Sequence, residues 1–477
     1  MIAAHHLLVV CLLAQQPDVG APGSPKPDPD PAALVAQLGA ARFADRQAAA
    51  DALAQIGRDA LPALREGRNS TDPEVKTRVQ ALLTLVEGRL LLEPTRVKLD
   101  FRDRPLVEVV NELASRTGIP LKLIPENNQA FASRKVTLEA PEPVTFWVML
   151  ERLCEVGSVQ HASGVSMVPV QVGGRAAQGP VFALYDQPVP MAAAPRSIDG
   201  LFLTTAQSIR VHRDLNFGGM RAGGVIRLNG NAPANVARAP VSNVQFSLDM
   251  NVQVEPRMIV SATGPARIEE AIDDLGQSLA PDASAEVQRR MSGYFGGYGM
   301  AQGNLSFQVQ LQLPERSGQF IKRLKGTLPV RVSSRKDSPV VIAIDQAKGK
   351  TIDAGDVRVT IHDVRPGPDL DGSTQIELSA RPSPGAMPDD PQNGMAASAM
   401  IFRSPQMAQS QMEVLDARDQ AYPQWLTTNM QVNNDEARLT IRLMANEQLG
   451  PPAKLRVYDL ARANTDLTFT FTDVPMP

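Results

Sequence analysis

Cysteine is almost missing from this chain: Cys11 and Cys154 are the two in 477 residues. If the N-terminal segment is removed, Cys154 alone remains. No intrachain disulfide can then form, and core packing must stabilise the protein. Aromatic residues make up 4%, which counts against a lectin or a base-stacking surface. The formal net charge is -3, so the global basic field that nucleic acid attracts is missing. Histidine occurs five times. Beyond the N-terminal His5 and His6, neither His161, His212 nor His362 stands near a second His or Cys at metal-ligand spacing. No G-x-S-x-G elbow or P-loop occurs, and no segment is long and apolar enough to span a bilayer. The expectation is a non-enzymatic protein with no cofactor, no metal, no nucleic-acid partner and no membrane span.

Length suggests about three domains, and a hydrophobic content of 43% can support buried cores. Residues 7–14 form a short apolar run, and Ala14 can precede a cleavage site. This reads as a signal peptide over 1–14, which implies a periplasmic or secreted protein. Its first residues lack Lys and Arg, so the terminal amine, His5 and His6 are its sources of positive charge. Leu8-Val9-Val10-Cys11 has the outline of a lipoprotein box, but Val10 is bulky where a small residue is wanted, which argues against a lipid anchor at Cys11. Residues 15–31 are a Pro- and Asp-rich linker expected to be extended.

Residues 32–92 read as helices. Ala49, Ala52, Leu53 and Ile56 share one face, and Val75, Val79, Leu82, Leu83 and Val86 share another. Asp45 and Asp72 are candidate N-caps, with Pro73 at a first helical position. Asp45-Arg46, Ala52-Leu53, Ile56-Gly57, Leu61-Pro62 and Asp72-Pro73-Glu74-Val75 resemble HEAT-type repeats. About three such repeats are needed to bury their faces on one another. A pair must therefore dock on something else.

Residues 97–171 read as strand, helix, strand, strand, helix and a terminal hairpin. Val97, Leu99 and Phe101 alternate. Leu106, Val109, Val110 and Leu113 line one side of a helix that Gly118 ends. A second helix carries Met149, Leu150, Leu153 and Cys154 to Gly157, and Ser163-Gly164 suits the turn of the last hairpin. Leu99-Asp100-Phe101, Pro105-Leu106, Leu113-Ala114, Thr117-Gly118-Ile119, Val136-Thr137-Leu138 and Val144-Thr145 with Leu150 resemble the short N-terminal domain of secretins and TonB-dependent receptors. The resemblance implies a periplasmic domain that docks on partner proteins and performs no catalysis. No secretin pore or transmembrane barrel is recognisable downstream. Phe146 and Trp147 also stand where that family carries polar helix residues. An aromatic pair on a usually solvated face needs cover: either another part of this chain packs on it, or it is a partner-binding patch.

From 179 onward the chain alternates in the manner of one-sided strands. Val244, Phe246, Leu248, Met250, Val252 and Val254 form one row, and Leu305, Phe307, Val309, Leu311 and Leu313 another. Two antiparallel β-sandwiches are expected, at 179–279 and 304–477. A flexible linker at 280–303 separates them, and a disordered loop at 381–411 interrupts the second. Asp371-Gly372 fits a hairpin turn. The fold class is thus multidomain α+β: a helical repeat pair, a small βαββα-type domain with a terminal hairpin, then β-sandwiches. The segments EPRMIVSATGPARIEEAIDDLGQSL and LTFTFTDVPMP resemble exported bacterial multidomain proteins of this composition, a resemblance that carries no activity with it.

The chemistry-bearing residues read as structural. Cys154 falls on a buried helix face, His161 on a surface strand, and His362-Asp363 at a strand end. Asp369, Asp371 and Asp389-Asp390 lack calcium-loop spacing and the closing Glu. Glu269-Glu270 and Asp273-Asp274 suggest the solvated face of a short helix. The reading that follows is an exported interaction or scaffold module whose partners are envelope proteins. An adhesin or carbohydrate-binding protein is the first alternative, and a hydrolase with a dispersed site the second.

Overall fold

The computed structural model describes residues 30–161, 170–172, 175–177, 182–187, 194–216, 241–281, 299–301, 304–314, 316–355, 357–367, 372–383, 411–422, 425–433, 436–444 and 449–477. The expected signal peptide, Cys11, most of the linker after it, the turn at Ser163-Gly164, most of 280–303 and of 381–411, and the acidic residues Asp369, Asp371, Asp389 and Asp390 lie outside them. The chain forms two compact units, Met1–Val86 and Glu87–Pro477.

The first unit is helical: α1 (Pro31–Gln37), α2 (Phe43–Ile56), α3 (Leu61–Gly67) and most of α4 (Pro73–Leu91). Leu34, Leu53, Leu64, Val79 and Val86 are buried, as the periodicity requires. Asp72 caps α4, accepting from Glu74 N at 2.8 Å. Asp45 is not a cap. Helix α2 begins two residues earlier with Arg42 at the cap position, which leaves Asp45 in the first turn, where a carboxylate still meets exposed N–H groups.

The second unit opens with the small domain. Its elements are β1 (Arg96–Val97), β2 (Asp100–Pro105), α5 (Leu106–Thr117), β3 (Leu121–Ile124), α6 (Gln129–Ala132), β4 (Lys135–Glu139), β5 (Val144–Thr145), α7 (Phe146–Gly157), β6 (Val159–His161), β7 (Val170–Val172), β8 (Arg175–Ala177) and β9 (Phe182–Asp186). Among the described residues, β6 does not pair with β7, as the expected hairpin between Ser158 and Val170 requires. Strand β6 pairs with β9, which also runs parallel to β3, while β7 pairs with β8. Phe182 and Leu184 explain the choice: both are buried in this domain's core beside Val159 and Leu121. The domain therefore runs to Asp186.

Two β bodies follow. The first has a five-stranded sheet in the order β10-β11-β12-β16-β15: Arg196–Asp199, Phe202–Asn216, Val241–Val254, Asn304–Leu311 and Gly299–Ala301. Facing it, β17 (Phe320–Arg335) is flanked by β13 (Met258–Ala262) and β14 (Arg267–Asp273) on one side and by β26 (Leu460–Pro475) on the other. The second body has a five-stranded sheet β19-β20-β21-β24-β23: Thr351–Ala354, Val357–Pro366, Thr374–Pro382, Ala437–Leu443 and Leu426–Val432. A three-stranded sheet β18-β25-β22 (Val340–Ala343, Pro452–Val457 and Met412–Asp416) completes it. Each body has its own buried core.

The pairing overturns the expected division at 280–303. Strand β12, before it, is hydrogen-bonded to β16, after it, and the C-terminal β26 returns to β17 along its whole length. Neither non-local pairing can be read from neighbours in sequence. The segment with Glu269, Glu270 and Asp273 is likewise strand β14, not a helix. Register shifts at Ile268/Glu270 and Ile272/Asp273 break its alternation, which imitated a helical spacing.

The two bodies share one plan. Replacing β10, β11, β12, β16 and β15 by β19, β20, β21, β24 and β23 reproduces the five-stranded order, and β14 with β17 corresponds to β22 with β25. A buried aspartate closes the same turn in both. Asp273 accepts from Leu275 N at 3.1 Å, Gln277 N at 2.7 Å and Gly318 N at 3.0 Å. Asp416 accepts from Arg418 N at 2.8 Å, Gln420 N at 2.9 Å and Gly450 N at 3.1 Å. Positive φ falls at the matching third turn positions, Gly276 and Asp419. The flank of the central strand differs. In the second body the chain's preceding strand, β18, fills it, whereas in the first body the C-terminal β26 does.

Burial alone would raise the Asp416 pKa, but the N–H groups of Gln420 and Gly450, with Arg418, hold it at about 2. Asp273 is lowered as well: its burial is outweighed by N–H donors from Gln277, Gly318 and Leu275. A carboxylate depressed in the folded state contributes stability that is present above its unfolded pKa of about 3.9 and lost as pH falls through the folded one. Asp416→Asn should therefore lower Tm at pH 7, and the gap to the parent should close as pH is taken from about 4 toward about 2. A gap that stays constant with pH would refute this role.

Candidate functional site

Helix α7 starts without a side-chain cap because strand β5 runs straight into it. Arg96 pairs with Thr145, and Phe146 N donates to Thr95 O at 2.9 Å instead. This places the Phe146-Trp147 pair against the first β body. Both residues are fully buried. Their rings meet edge-to-face at 5.2 Å, and each lies 6.0 Å from Phe182. Ile198 of β10 and Leu203 of β11 pack into the same core. The pair is thus not an open partner-binding patch: the downstream β strands cover it.

The polar groups around the pair tie the two parts together. Trp147 Nε1 donates to Leu201 O at 2.7 Å, and Glu255 N donates to the same carbonyl at 3.1 Å. The buried Glu255 carboxylate accepts from Thr95 N at 2.9 Å and from Thr95 Oγ1 at 2.6 Å. Burial raises its pKa, and the Thr95 bonds only partly offset this. Farther along α7, Glu151 accepts from Arg196 of β10 and lies 3.3 Å from His161 Nε2. Its burial is outweighed by these two partners, which leaves the pKa lowered.

Cys154, His161 and Glu151 converge here, although in the sequence they read as unrelated. His161 is not a surface residue: its ring packs 5.5 Å from Phe182 and 6.0 Å from Trp147. A cysteine nucleophile acts as thiolate. Burial, with Glu151 adding to it, pushes the Cys154 thiol up to about 12. Nε2 of His161 faces Glu151, while the thiol's hydrogen bond involves the His161 backbone. The arrangement holds a protonated thiol beside a clamped imidazole. Iodoacetamide at neutral pH should accordingly leave Cys154 unmodified in the native protein and label it in denaturant. Rapid native labelling would contradict this assignment.

The other chemistry-bearing residues are dispersed. His362 lies within β20 at a register shift, not at a strand end, with Nε2 2.8 Å from Ser379 Oγ. Asp363 pairs with Lys348 at 2.8 Å. Glu269 and Glu270 pair across strands with Lys325 and Arg323. Among the described residues, no group of three His, Cys, Asp or Glu side chains stands close enough to hold a metal ion. No helix of the described residues is long and apolar enough to cross a membrane. No family model, curated protein or solved structure matches the chain.

Proposed function

We propose that this is an exported, non-enzymatic envelope protein that works as a scaffold or interaction module. The observation that carries the reading is the junction around Trp147. The side chains that could have served an open site or an active thiol are spent joining the small domain to the first β body. Trp147, Glu151, His161, Arg196 and Glu255 are all engaged in that joint. A fixed joint between two modules suits a part that holds other proteins, and the resemblance to secretin and TonB-receptor domains supports a periplasmic setting for it. The apolar run before Ala14 supports export.

Export is tested by expressing the chain with a C-terminal tag in a bacterium, fractionating the cells and sequencing the N-terminus of the product. The expected result is a chain in the envelope fraction that begins at Gln15 or close after it. A cytoplasmic chain that retains its leader would overturn the reading.

A further inference from the structure

Glu255 takes part twice in a closed circuit of hydrogen bonds at the joint. Its carboxylate accepts from Thr95 N at 2.9 Å and from Thr95 Oγ1 at 2.6 Å. Thr95 O in turn accepts from Phe146 N at 2.9 Å, at the start of α7. On the other side, Glu255 N donates to Leu201 O at 3.1 Å, and Trp147 Nε1 donates to that same carbonyl at 2.7 Å. The circuit runs from the end of β12 into the small domain and back through the turn between β10 and β11. Glu255 is its titratable member.

The turn that carries Glu255 is held at its other end too. Arg257 has a φ of 80°, in the left-handed region where glycine is usual and a larger residue is strained. Its guanidinium lies against Gly118, the residue that ends α5, where a Cβ would meet it at 3.5 Å. Both ends of Glu255-Pro256-Arg257 thus grip the small domain.

Glu255 is 1% exposed, and among the described residues no cation pairs with it. Arg257 is turned to Gly118, and Glu93 and Arg96, beside Thr95 in the chain, are exposed. The joint's other charged groups, Glu151, His161 and Arg196, engage one another. Burying an ionised carboxylate without a cation is costly, and neutral donors offset only part of that cost. Burial accordingly raises its pKa, against the two Thr95 bonds. A glutamine at this position can bond to Thr95 in the same way with no charge to bury. The joint does not require a carboxyl, and what a carboxyl adds is titration.

We propose that Glu255 is a proton gate on the joint between the small domain and the first β body, locked while the carboxyl is neutral and opening more readily once it is ionised. A carboxyl whose pKa is higher in the closed joint than in the open one takes up a proton on closure. Its contribution is fully present below the exposed pKa of about 4.3 and is lost as pH rises through the closed one. Acid tightens the joint and alkali loosens it.

The test is hydrogen exchange of the full chain at a series of pH values between about 4 and 8, set against Glu255→Gln, which is neutral throughout. The two chains differ in one group, so other titrating groups cancel in the ratio of their opening constants, and export plays no part. For small-domain amides such as Val109 and Leu150, the ratio of parent to variant should rise by about fivefold or more across that range. Thr95→Val removes a donor that the ionised carboxylate needs more than the neutral one, so its destabilisation should also grow with pH. Melting curves check that both variants fold. A parent-to-variant ratio that stays flat or falls as pH rises would overturn the proposal, as would a Thr95→Val effect that does not change with pH.

Discussion

A chain that ends at Asp459 is expected to lose the first β body while keeping the second. Strand β26 pairs with β17 from Arg335↔Leu460 to Phe320↔Pro475, and it buries Leu467, Phe469, Phe471 and Val474. At roughly 1.5–3 kcal/mol for each fully buried side chain, their loss removes on the order of 6–12 kcal/mol. A domain has about 5–15 kcal/mol in total. Truncation would also leave one edge of β17 unpaired, and a bare edge invites aggregation. The N–H groups of Thr468 and Thr470 now donate to Asp199 Oδ2 at 2.8 Å and Ser197 Oγ at 2.9 Å, so β10 would lose these ties as well. Limited proteolysis of the truncated chain should destroy the strands between 196 and 335 and spare a fragment near 340–457, whose core is separate. A truncated chain that resists protease throughout, like the parent, would show that β26 is dispensable.

The second large effect is expected at Trp147. Trp147→Ala empties a fully buried site in the joint between the small domain and the first β body, at a cost of about 3–5 kcal/mol. Trp147→Phe keeps most of the volume but removes the bond to Leu201 O. It should cost about 1–2 kcal/mol, the range for a lost buried hydrogen bond. Denaturant titration of both variants separates packing from hydrogen bonding. It also separates cover from docking: a tryptophan that served only an outside partner could be replaced with little change in stability.

Local periodicity made several elements legible. The buried faces of α5 and α7, the helix end at Gly118, and strands β12 and β16 all follow from apolar spacing. The oddness of Phe146-Trp147 was visible too, because a paired aromatic needs cover wherever it lies. What covers it was not. Ile198, Leu201 and Leu203 sit far along the chain and carry no signal that links them to α7. No local signal brings Cys154, His161 and Glu151 together, because by sequence β6 reads as half of a hairpin with Val170. Once β6 pairs with β9 instead, His161 is drawn under Phe182. Proximity in sequence groups β16, β17 and β26 with the later strands, and only the pairing of β16 with β12 and of β17 with β13 and β14 shows that all three belong to the first body. The likeness of the two β bodies leaves little trace in sequence: an aspartate, a glutamine four residues later, and a distant glycine.

If Trp147, Glu151 and Glu255 join the small domain to the first β body as one rigid piece, the two must open together. Native-state hydrogen exchange of the full chain tests it most directly. Amides in the small domain, such as Val109 and Leu150, should open with the same free energy as Leu248 in β12. If the small-domain amides exchange through a separate and easier opening in the unmodified protein, the two parts are hinged modules and the scaffold account fails.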